Sequence, residues 1–470
     1  MHVRHGKGNG CMKITTCYTV PIKRQLTTTG RAKGERKITG SRPVNDTLMR
    51  RTADLCLDAL RFCVDAFLSE WGYLSSLPVT QKAGVMSRRR AADLMVHSTK
   101  DNNARYQDFD RLFPYMPAYT RRSIIADALG MVSSYVSNHG RWEGEEPSGR
   151  GAEPVMGLPE RYELTFYDQE RDLCDIGKGI IGLKLYDGKK WGWHYFLISP
   201  SDAGYISRMK EERDMLSPVV EKIRGRYRIR FAFEENKELV PDDSPLDYRI
   251  LAVDLGINAP ASWCVMTADG TVHARGVIHL RSDEDRLCHL VNRKRMYQKA
   301  GKRSHSIYRM LTGANRQLSI DTCREIMRIS ELYDTDCIVF EHLERNGKAR
   351  GRKFRERIHM WRAADVQKRV TLQAHRRGMR ISRVCAWGTS KYAFDGSGEV
   401  ARGKDADLDT YSLCRFPTGK VYNCDLSAAQ NIGARFFLRE YAKLPGCPGL
   451  PKTPRRTYDT LVSLVRSMAA

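Results

Sequence analysis

The spacing of apolar residues divides the first half of the chain into a helical part and a β-rich part. Over residues 44–142, apolar side chains recur every three or four positions, which predicts a lobe of packed amphipathic helices. Over residues 143–247, apolar and polar positions alternate and aromatic and β-branched residues are frequent, which predicts an antiparallel sheet or small barrel. Residues 1–43 form a basic arm with one alternating stretch, Met12–Lys23, which predicts a single early strand. If that strand pairs with the later ones, the helical lobe is an insertion into a wedge-like β-barrel.

The second half of the chain has the pattern of a layered α/β domain. Short apolar runs at Ile250–Val253 and Cys337–Phe340 predict two buried strands, and an acidic residue directly follows each run. A hairpin, helix, strand, helix, strand and helix follow one another in order. The fold class predicted for the whole chain is multidomain α+β. The predicted parts of this half are an α/β domain over residues 248–384, a loop domain over 385–424, the last motif of the α/β domain over 425–444, and a C-terminal tail over 445–470.

Charge indicates the partner. The 470 residues include 79 Lys and Arg against 55 Asp and Glu, a net charge of +24. Positive charges in such excess repel one another unless a polyanion neutralises them, and nucleic acid is the usual polyanion. The alternative for any single cation is a solvated helical face. The basic residues cluster, and the predicted nucleic-acid contacts are Arg293, Lys294, Arg295, Lys299, Lys302, Arg303, Arg352, Lys353, Arg355, Trp361, Lys368 and Arg369.

Cysteine usage and hydropathy bear on the compartment. The 13 cysteines are an odd number and have no compact disulfide-like spacing. The sequence contains no signal-peptide pattern and no apolar run long enough to cross a bilayer. These features predict a reducing bacterial cytoplasm and no membrane partner.

Three separated acids are the candidate catalytic residues. Asp254 and Glu341 each follow a predicted buried strand, and Asp425 opens a predicted helix. Carboxylates held at strand ends could bind two Mg²⁺ ions, which activate a water and stabilise the departing oxygen of a phosphodiester. Each acid alone has a simpler interpretation as a turn or cap residue, and Glu344 is a local rival of Glu341. The hypothesis depends on the three contexts together.

The segments around these acids resemble a known family. D-L-G-I-N at 254–258, I-V-F-E-H-L at 338–343 and D-L-S-A-A-Q-N-I at 425–432 are similar to the three RuvC motifs of compact type V CRISPR effector nucleases and of the related TnpB-type transposon nucleases. W-G-T-S at 387–390 and A-H-R-R-G at 374–378 also fit. The resemblance implies an RNase H-like (RuvC) domain, metal binding by Asp254, Glu341 and Asp425, and RNA-guided cleavage of DNA beside a short recognition motif.

The chain departs from that family in its loop domain. Many relatives carry a zinc ribbon of two Cys-x-x-Cys pairs, and four thiolates suit tetrahedral zinc. Here Ala393 and Gly396 stand where the first pair is expected. Cys414 is followed by Arg415, Phe416 and Pro417, so the second pair is half present. The expected cofactors are therefore two Mg²⁺ ions, with Mn²⁺ as an alternative, and no zinc.

Several functions fit these features. The first is an RNA-guided DNA endonuclease in CRISPR antiviral defence, with guide RNA and single- and double-stranded DNA as partners and a monomer or dimer on the RNA. The second is a TnpB-type nuclease of a transposon. The third is an RNA-guided DNA-binding silencer with weak or no cleavage, and the fourth is a RuvC-like nuclease that needs no guide.

Overall fold

The computed structural model describes residues 11–30, 36–80, 84–147, 150–165, 174–256, 259–342, 363–408, 410 and 412–469. The chain divides into two compact units. The N-terminal unit is Thr15–Glu235, and the C-terminal unit is Asn236–Ala470 with the described residues 11–14. Helices and strands occur in both, which gives the predicted multidomain α+β architecture. No helix in the described part of the chain combines the length and apolar character needed to span a bilayer.

The helical lobe of the N-terminal unit begins with a capped helix. The side chain of Asn45 accepts a hydrogen bond from the backbone N–H of Leu48, which satisfies one free donor of the first turn. The apolar stripe that follows packs against the last helix of the lobe, and the buried ion pair between Asp93 and Arg121 (3.0 Å) joins the third helix to that last helix. The helices are α1 (Asp46–Ser69), α2 (Trp71–Ser76), α3 (Arg88–Val96), α4 (Asp108–Leu112) and α5 (Ala118–Glu143).

The strands of this unit form two sheets, in the orders β1-β9-β8-β4 and β3-β2-β6-β5, and β7 pairs with β9. Early strands thus pair with strands that follow the helical lobe, so the lobe is an insertion, as the alternation predicted. The described residues form two separate sheets, and the predicted closed barrel is not shown. The elements are β1 (Cys11–Pro21), β2 (Arg24–Thr29), β3 (Lys37–Arg42), β4 (Leu164–Thr165), β5 (Ile180–Tyr186), β6 (Trp191–Leu197), α6 (Pro200–Glu212), β7 (Asp214–Met215), β8 (Val219–Ile223) and β9 (Arg226–Glu238).

The C-terminal unit is built on a five-stranded sheet in the order β12-β11-β10-β13-β14. The first three strands are antiparallel neighbours, and β13 and β14 then add in parallel to β10. This is the predicted order of hairpin, helix, strand, helix, strand and helix. The elements are β10 (Ile250–Asp254), β11 (Ala261–Met266), β12 (Val272–Ile278), α7 (Arg281–Lys299), α8 (His305–Leu332), β13 (Cys337–His342), α9 (Ala363–Arg376), β14 (Arg380–Cys385), β15 (Ala401–Arg402), β16 (Leu413–Arg415), β17 (Val421–Asn423), α10 (Cys424–Tyr441) and α11 (Tyr458–Ala469).

Helices cover both faces of this sheet, because alternate side chains of a strand point to opposite faces. Ile250 and Ala252 of β10 pack with residues of α10 and α11. Leu251 and Val253 pack on the other face with residues of α8 and α9. The sheet is therefore the middle of three layers, which explains why β10 and β13 are apolar at nearly every position.

The predicted loop domain contains a small three-stranded sheet, β15-β16-β17. Its core consists of buried Ala393, Cys414, Phe416 and Cys424, with Phe394, Val400 and Tyr422 packed against them. Apolar side chains thus fill the space around Ala393 and Cys414, two positions at which the resemblance implies zinc ligands. Within the described residues, no three His, Cys, Asp or Glu side chains form a group that could hold a metal ion.

Candidate active site

The pairing of two parallel strands brings the first two acids together. β10 and β13 run side by side with Val253 opposite Phe340, so Asp254 and Glu341 are the next residues at the same edge of the sheet. Along β10, Asp254 lies on the same face as Ile250 and Ala252, and along β13, Glu341 lies on the same face as Cys337 and Val339. The four apolar residues face α10. Both acids therefore point from adjacent strands to the α10 side of the sheet.

Helix α10 brings the third acid to the same edge. Asp425 lies in its first turn, and a Cβ atom placed on Gly256, two residues after Asp254, would lie 3.8 Å from Asp425 Oδ2. The cap of this helix is Asn423, whose side chain accepts hydrogen bonds from the N–H groups of Asp425 and Leu426, both at 3.0 Å. The simpler interpretation of Asp425 as the N-cap is therefore wrong, and its carboxylate is free of that role.

Burial and mutual repulsion dominate the electrostatics of these acids. Burial, followed by the negative charges of Glu341 and Asp425, raises the pKa of Asp254 well above its usual range. Burial also raises the pKa of Glu341 and of Asp425. Removing a carboxylate from water and placing it beside other negative charges both disfavour its ionised form. Three ionised carboxylates here are therefore unfavourable without a cation.

A nearby arginine partly offsets this repulsion, and sequence reasoning missed it. Arg402 of β15 lowers the pKa of both Asp254 and Asp425 by its positive charge, and its guanidinium donates a hydrogen bond to the carbonyl of Ser390. The half-buried guanidinium is thus held at the acids from the loop domain. One arginine among 79 basic residues carries no local signal of this role.

Glu341 is fixed by two further residues. The side-chain amide of Gln367, on α9, donates to the backbone carbonyl of Glu341 at 2.9 Å. The hydroxyl of Thr389 donates to Glu341 Oε1. Both the hydrogen bond from Thr389 and the positive charge of Arg435 lower the pKa of Glu341 against the effect of burial.

These residues fit a divalent metal site in chemistry. Mg²⁺ prefers oxygen ligands, keeps several waters and needs only one or two carboxylates from the protein. Burial and the two neighbouring carboxylates raise the pKa of Asp254, and a bound cation would favour its ionised form. The three side chains do not form a closed ligand group among the described residues, so waters or a phosphate would have to complete the coordination.

The predicted nucleic-acid residues fall into three sets. Arg293, Arg295, Lys299, Lys302 and Arg303 are exposed at one end of the α7–α8 hairpin, and Lys294 there lies with its Nζ 5.6 Å from the ring centre of Tyr308. Lys368 and Arg369 lie on α9, next to Gln367, and Arg369 pairs with Asp365 at 3.0 Å. The third set lies outside the described residues and consists of Arg352, Lys353, Arg355 and Trp361.

The basic helices lie on the face of the sheet opposite to the acids, and α9 reaches the edge of the sheet through Gln367. Helices α8 and α9 pack on the face opposite to α10. The exposed end of the hairpin has its own small core of Leu290, Val291, Leu311 and Ala314. At 1.5 Å per residue, α8 rises about 27 Å from His305, two residues after Arg303, to Cys323, where that helix joins the core of the sheet. The hairpin end is thus a surface separate from the acids.

Comparison with known proteins gives one partial family match and several distant structural neighbours. The model of the Aq_aa04 family matches residues 35–187, and no curated protein matches the chain. CasPhi-2 (Cas12j) bound to crRNA and phosphorothioate DNA is 10% identical, with 94% of this chain and 92% of that chain covered and a TM-score of 0.44. Cas12f1 in complex with sgRNA and target DNA is 16% identical, with 89% and 98% covered and a TM-score of 0.32.

A third neighbour is C2c1 of Alicyclobacillus acidoterrestris in complex with single-guide RNA, which is 9% identical, with 80% of this chain and 65% of that chain covered and a TM-score of 0.35. These similarities are distant, and the roles of individual residues rest on the geometry of this chain.

Proposed function

We propose that this chain is an RNA-guided DNA endonuclease that cleaves phosphodiester bonds at a single RuvC-type site. The observation that carries the proposal is the meeting of Asp254, Glu341 and Asp425 at one edge of the sheet, although 87 and 84 residues separate them along the chain. Structural side chains are seldom arranged so that a half-buried carboxylate is repelled by two others, and strongly perturbed acids of this kind are typical of functional sites.

The chain's own residues would divide the work as follows. Asp254 and Glu341, at the ends of paired strands, provide rigid oxygen ligands, and Asp425 adds a third from the first turn of α10. Two Mg²⁺ ions held there would supply an activated water and charge stabilisation for the departing oxygen. Arg402 is a positive charge that acts on both aspartates, and we assign it the scissile phosphate as its partner.

The basic hairpin supports a guided mechanism. Five exposed cations lie at its end, and Tyr297 and Tyr308 are exposed beside them. A guide–target heteroduplex is held through its backbone and shape, which suits a long positive surface separate from the cutting site. An unguided nuclease would have less use for this surface or for the separate N-terminal unit of about 220 residues.

The biological setting that we propose is CRISPR antiviral defence, with transposon-encoded guided cleavage as the alternative. The altered loop domain, in which apolar side chains pack around Cys414, favours the CRISPR setting. The neighbouring genes separate the two, because one setting predicts a repeat array and the other a transposon end.

A second candidate function is RNA-guided DNA binding without efficient cleavage. The altered loop domain, in which apolar side chains pack around Cys414, favours it. Mg²⁺-dependent cutting of a matched plasmid by the pure protein would exclude this candidate.

Sequencing of the small RNA that purifies with the protein from its own gene neighbourhood tests guidance. We expect one abundant species with a constant scaffold and a variable segment. Recovery of random host RNA alone would refute guidance and would favour the unguided nuclease.

A further inference from the structure

The second acid of the site is restrained at both its backbone and its side chain. The backbone carbonyl of Glu341 accepts from Gln367 at 2.9 Å, and Glu341 Oε1 accepts from the hydroxyl of Thr389. The carbonyl of Ala386 also lies 3.0 Å from that hydroxyl, but the ionised carboxylate is the stronger acceptor for its single proton. Thr389 is 2% exposed, so water does not compete freely for its hydroxyl. This hydrogen bond engages Oε1 and not Oε2 of the carboxylate.

Thr389 is itself held in place by helix α10. Asn431, which is fully buried, donates through Nδ2 to the carbonyl of Thr389 and to the carbonyl of Tyr392, both at 2.9 Å. Its Oδ1 accepts from the backbone N–H of Tyr458 at 3.0 Å. All three partners are in place only with this orientation of the amide, so Asn431 fixes the turn that carries Thr389.

A second residue of α10 clamps the same turn. The buried guanidinium of Arg435 donates to the carbonyls of Cys385 and Trp387, at 2.6 and 3.0 Å, just before Thr389. The turn is therefore bound to α10 on both sides of Thr389. Because α10 also carries Asp425, one helix places the third acid directly and the second acid through Thr389.

We propose that Thr389 is a positioning residue for the Glu341 carboxylate: its hydroxyl binds Oε1 and thereby directs Oε2 to the divalent cation. The inference rests on the proposed function, since it gives Glu341 a metal to bind. Thr389 touches neither substrate nor metal in this account. Hydrogen bonds that orient a metal-binding side chain typically affect metal affinity about 10–100-fold when they are removed.

Direct measurement of metal binding tests this role. Thr389→Val keeps the shape of the side chain and removes the hydroxyl, whereas Thr389→Ser keeps the hydroxyl. Mn²⁺ binding to the protein without nucleic acid would be measured by electron paramagnetic resonance, with Asp254→Ala as the background. We expect Thr389→Val to weaken the Asp254-dependent binding about 10–100-fold and Thr389→Ser to bind as the wild type does.

A matched control separates this effect from loss of a buried hydroxyl in general. Thr322 of α8 is also 2% exposed, but its hydroxyl donates to the carbonyl of Leu318 in its own helix at 2.7 Å. Thr322→Val should leave Mn²⁺ binding unchanged. If Thr389→Val melts at a much lower temperature, Thr389→Ala, which removes the hydroxyl without a new methyl group, replaces it in the same measurement.

The outcomes distinguish the two claims. Binding by Thr389→Val that equals wild-type binding, while Asp254→Ala has lost it, would overturn the role of Thr389 and leave the metal site intact. Equal binding by the wild type and Asp254→Ala would overturn the metal site and the inference with it. Weak binding by Thr389→Val with recovery in Thr389→Ser supports positioning by the hydroxyl.

Discussion

Gly433 lies where α10 crosses the sheet, and its replacement by alanine is expected to destabilise the C-terminal unit. A Cβ atom at this position would lie 2.2 Å from the Sδ atom of Met266 and 3.2 Å from the Cβ atom of Ala252. Neither neighbour can move into solvent, because both side chains are fully buried. The helix must therefore shift away from the sheet, or Met266 must take a poor rotamer.

The size of the effect follows from two opposed contributions. Extra methyl groups in a packed core typically cost about 1–3 kcal/mol. Replacing glycine by alanine inside a helix stabilises the helix by about 1 kcal/mol. The clash at Gly433 is severe, so we expect a net loss of about 1–2 kcal/mol and a melting temperature lower by roughly 2–8 °C for a unit of this size. Cleavage should fall as well, because the shift would move Asp425.

Gly313 provides the matched control. It lies within helix α8, and a Cβ atom there would meet nothing within 4 Å. Gly313→Ala should therefore keep or raise the melting temperature by the gain in helix propensity alone. Thermal unfolding of the two variants, followed by circular dichroism, gives the comparison. Equal stability of Gly433→Ala and Gly313→Ala would refute the close packing of α10 on the sheet.

Three further predictions concern the site and the loop domain. Arg402→Ala should lower the cleavage rate at saturating Mg²⁺. The half-maximal rate should need roughly fivefold less Mg²⁺, because removal of the guanidinium removes ~1 kcal/mol of repulsion between it and the cation. A Mg²⁺ titration in which both values match the wild type would contradict this. Since the pKa of Asp254 is raised in the folded protein, the stability of the metal-free protein should fall as the pH rises from about 4 through that raised pKa. Mg²⁺ should therefore raise the melting temperature more at pH 8 than at pH 5. This difference between the two pH values should be smaller in Asp254→Asn. Elemental analysis should find far less than one zinc per chain, and a chelator should leave the melting temperature unchanged, because apolar packing around Cys414 holds the loop domain; stoichiometric zinc would contradict this.

The strands that carry the first two acids could be predicted because their signal is local. The runs Ile250–Val253 and Cys337–Phe340 are apolar at every position, as strands covered on both faces must be, and each ends at an acid. Parallel pairing then brings Asp254 and Glu341 together without further information.

Other features of the site depend on contacts that no local pattern encodes. The positive charge of Arg402 lowers the pKa of Asp254 and of Asp425 only because β15 folds back towards the end of β10. Nothing in the sequence around Arg402 distinguishes it from the other arginines. Asn423 takes the cap position two residues before Asp425, where an acid at the start of a helix was the simpler expectation. The W-G-T-S segment fitted the resemblance, but the contact of Thr389 with Glu341 required the structure.

The basic residues show a similar division. Their clustering predicted a surface for nucleic acid, and the structure exposes Lys302 and Arg303 at the end of a helical hairpin. Sequence proximity to the acids did not predict that α8 and α9 cover the opposite face of the sheet from Asp425. Which face a helix covers depends on the crossover between strands and not on its composition.

The most direct measurement of the central claim is cleavage of a plasmid that carries a sequence matched to the bound guide, by wild-type protein and by Asp254→Ala. We expect the wild type to cut only with Mg²⁺ or Mn²⁺ and only the matched plasmid. Asp254→Ala should bind guide and target as the wild type does, and melt no lower because a repelling carboxylate has gone, yet leave the plasmid intact. Undiminished cutting by pure Asp254→Ala protein would contradict the assignment of the site.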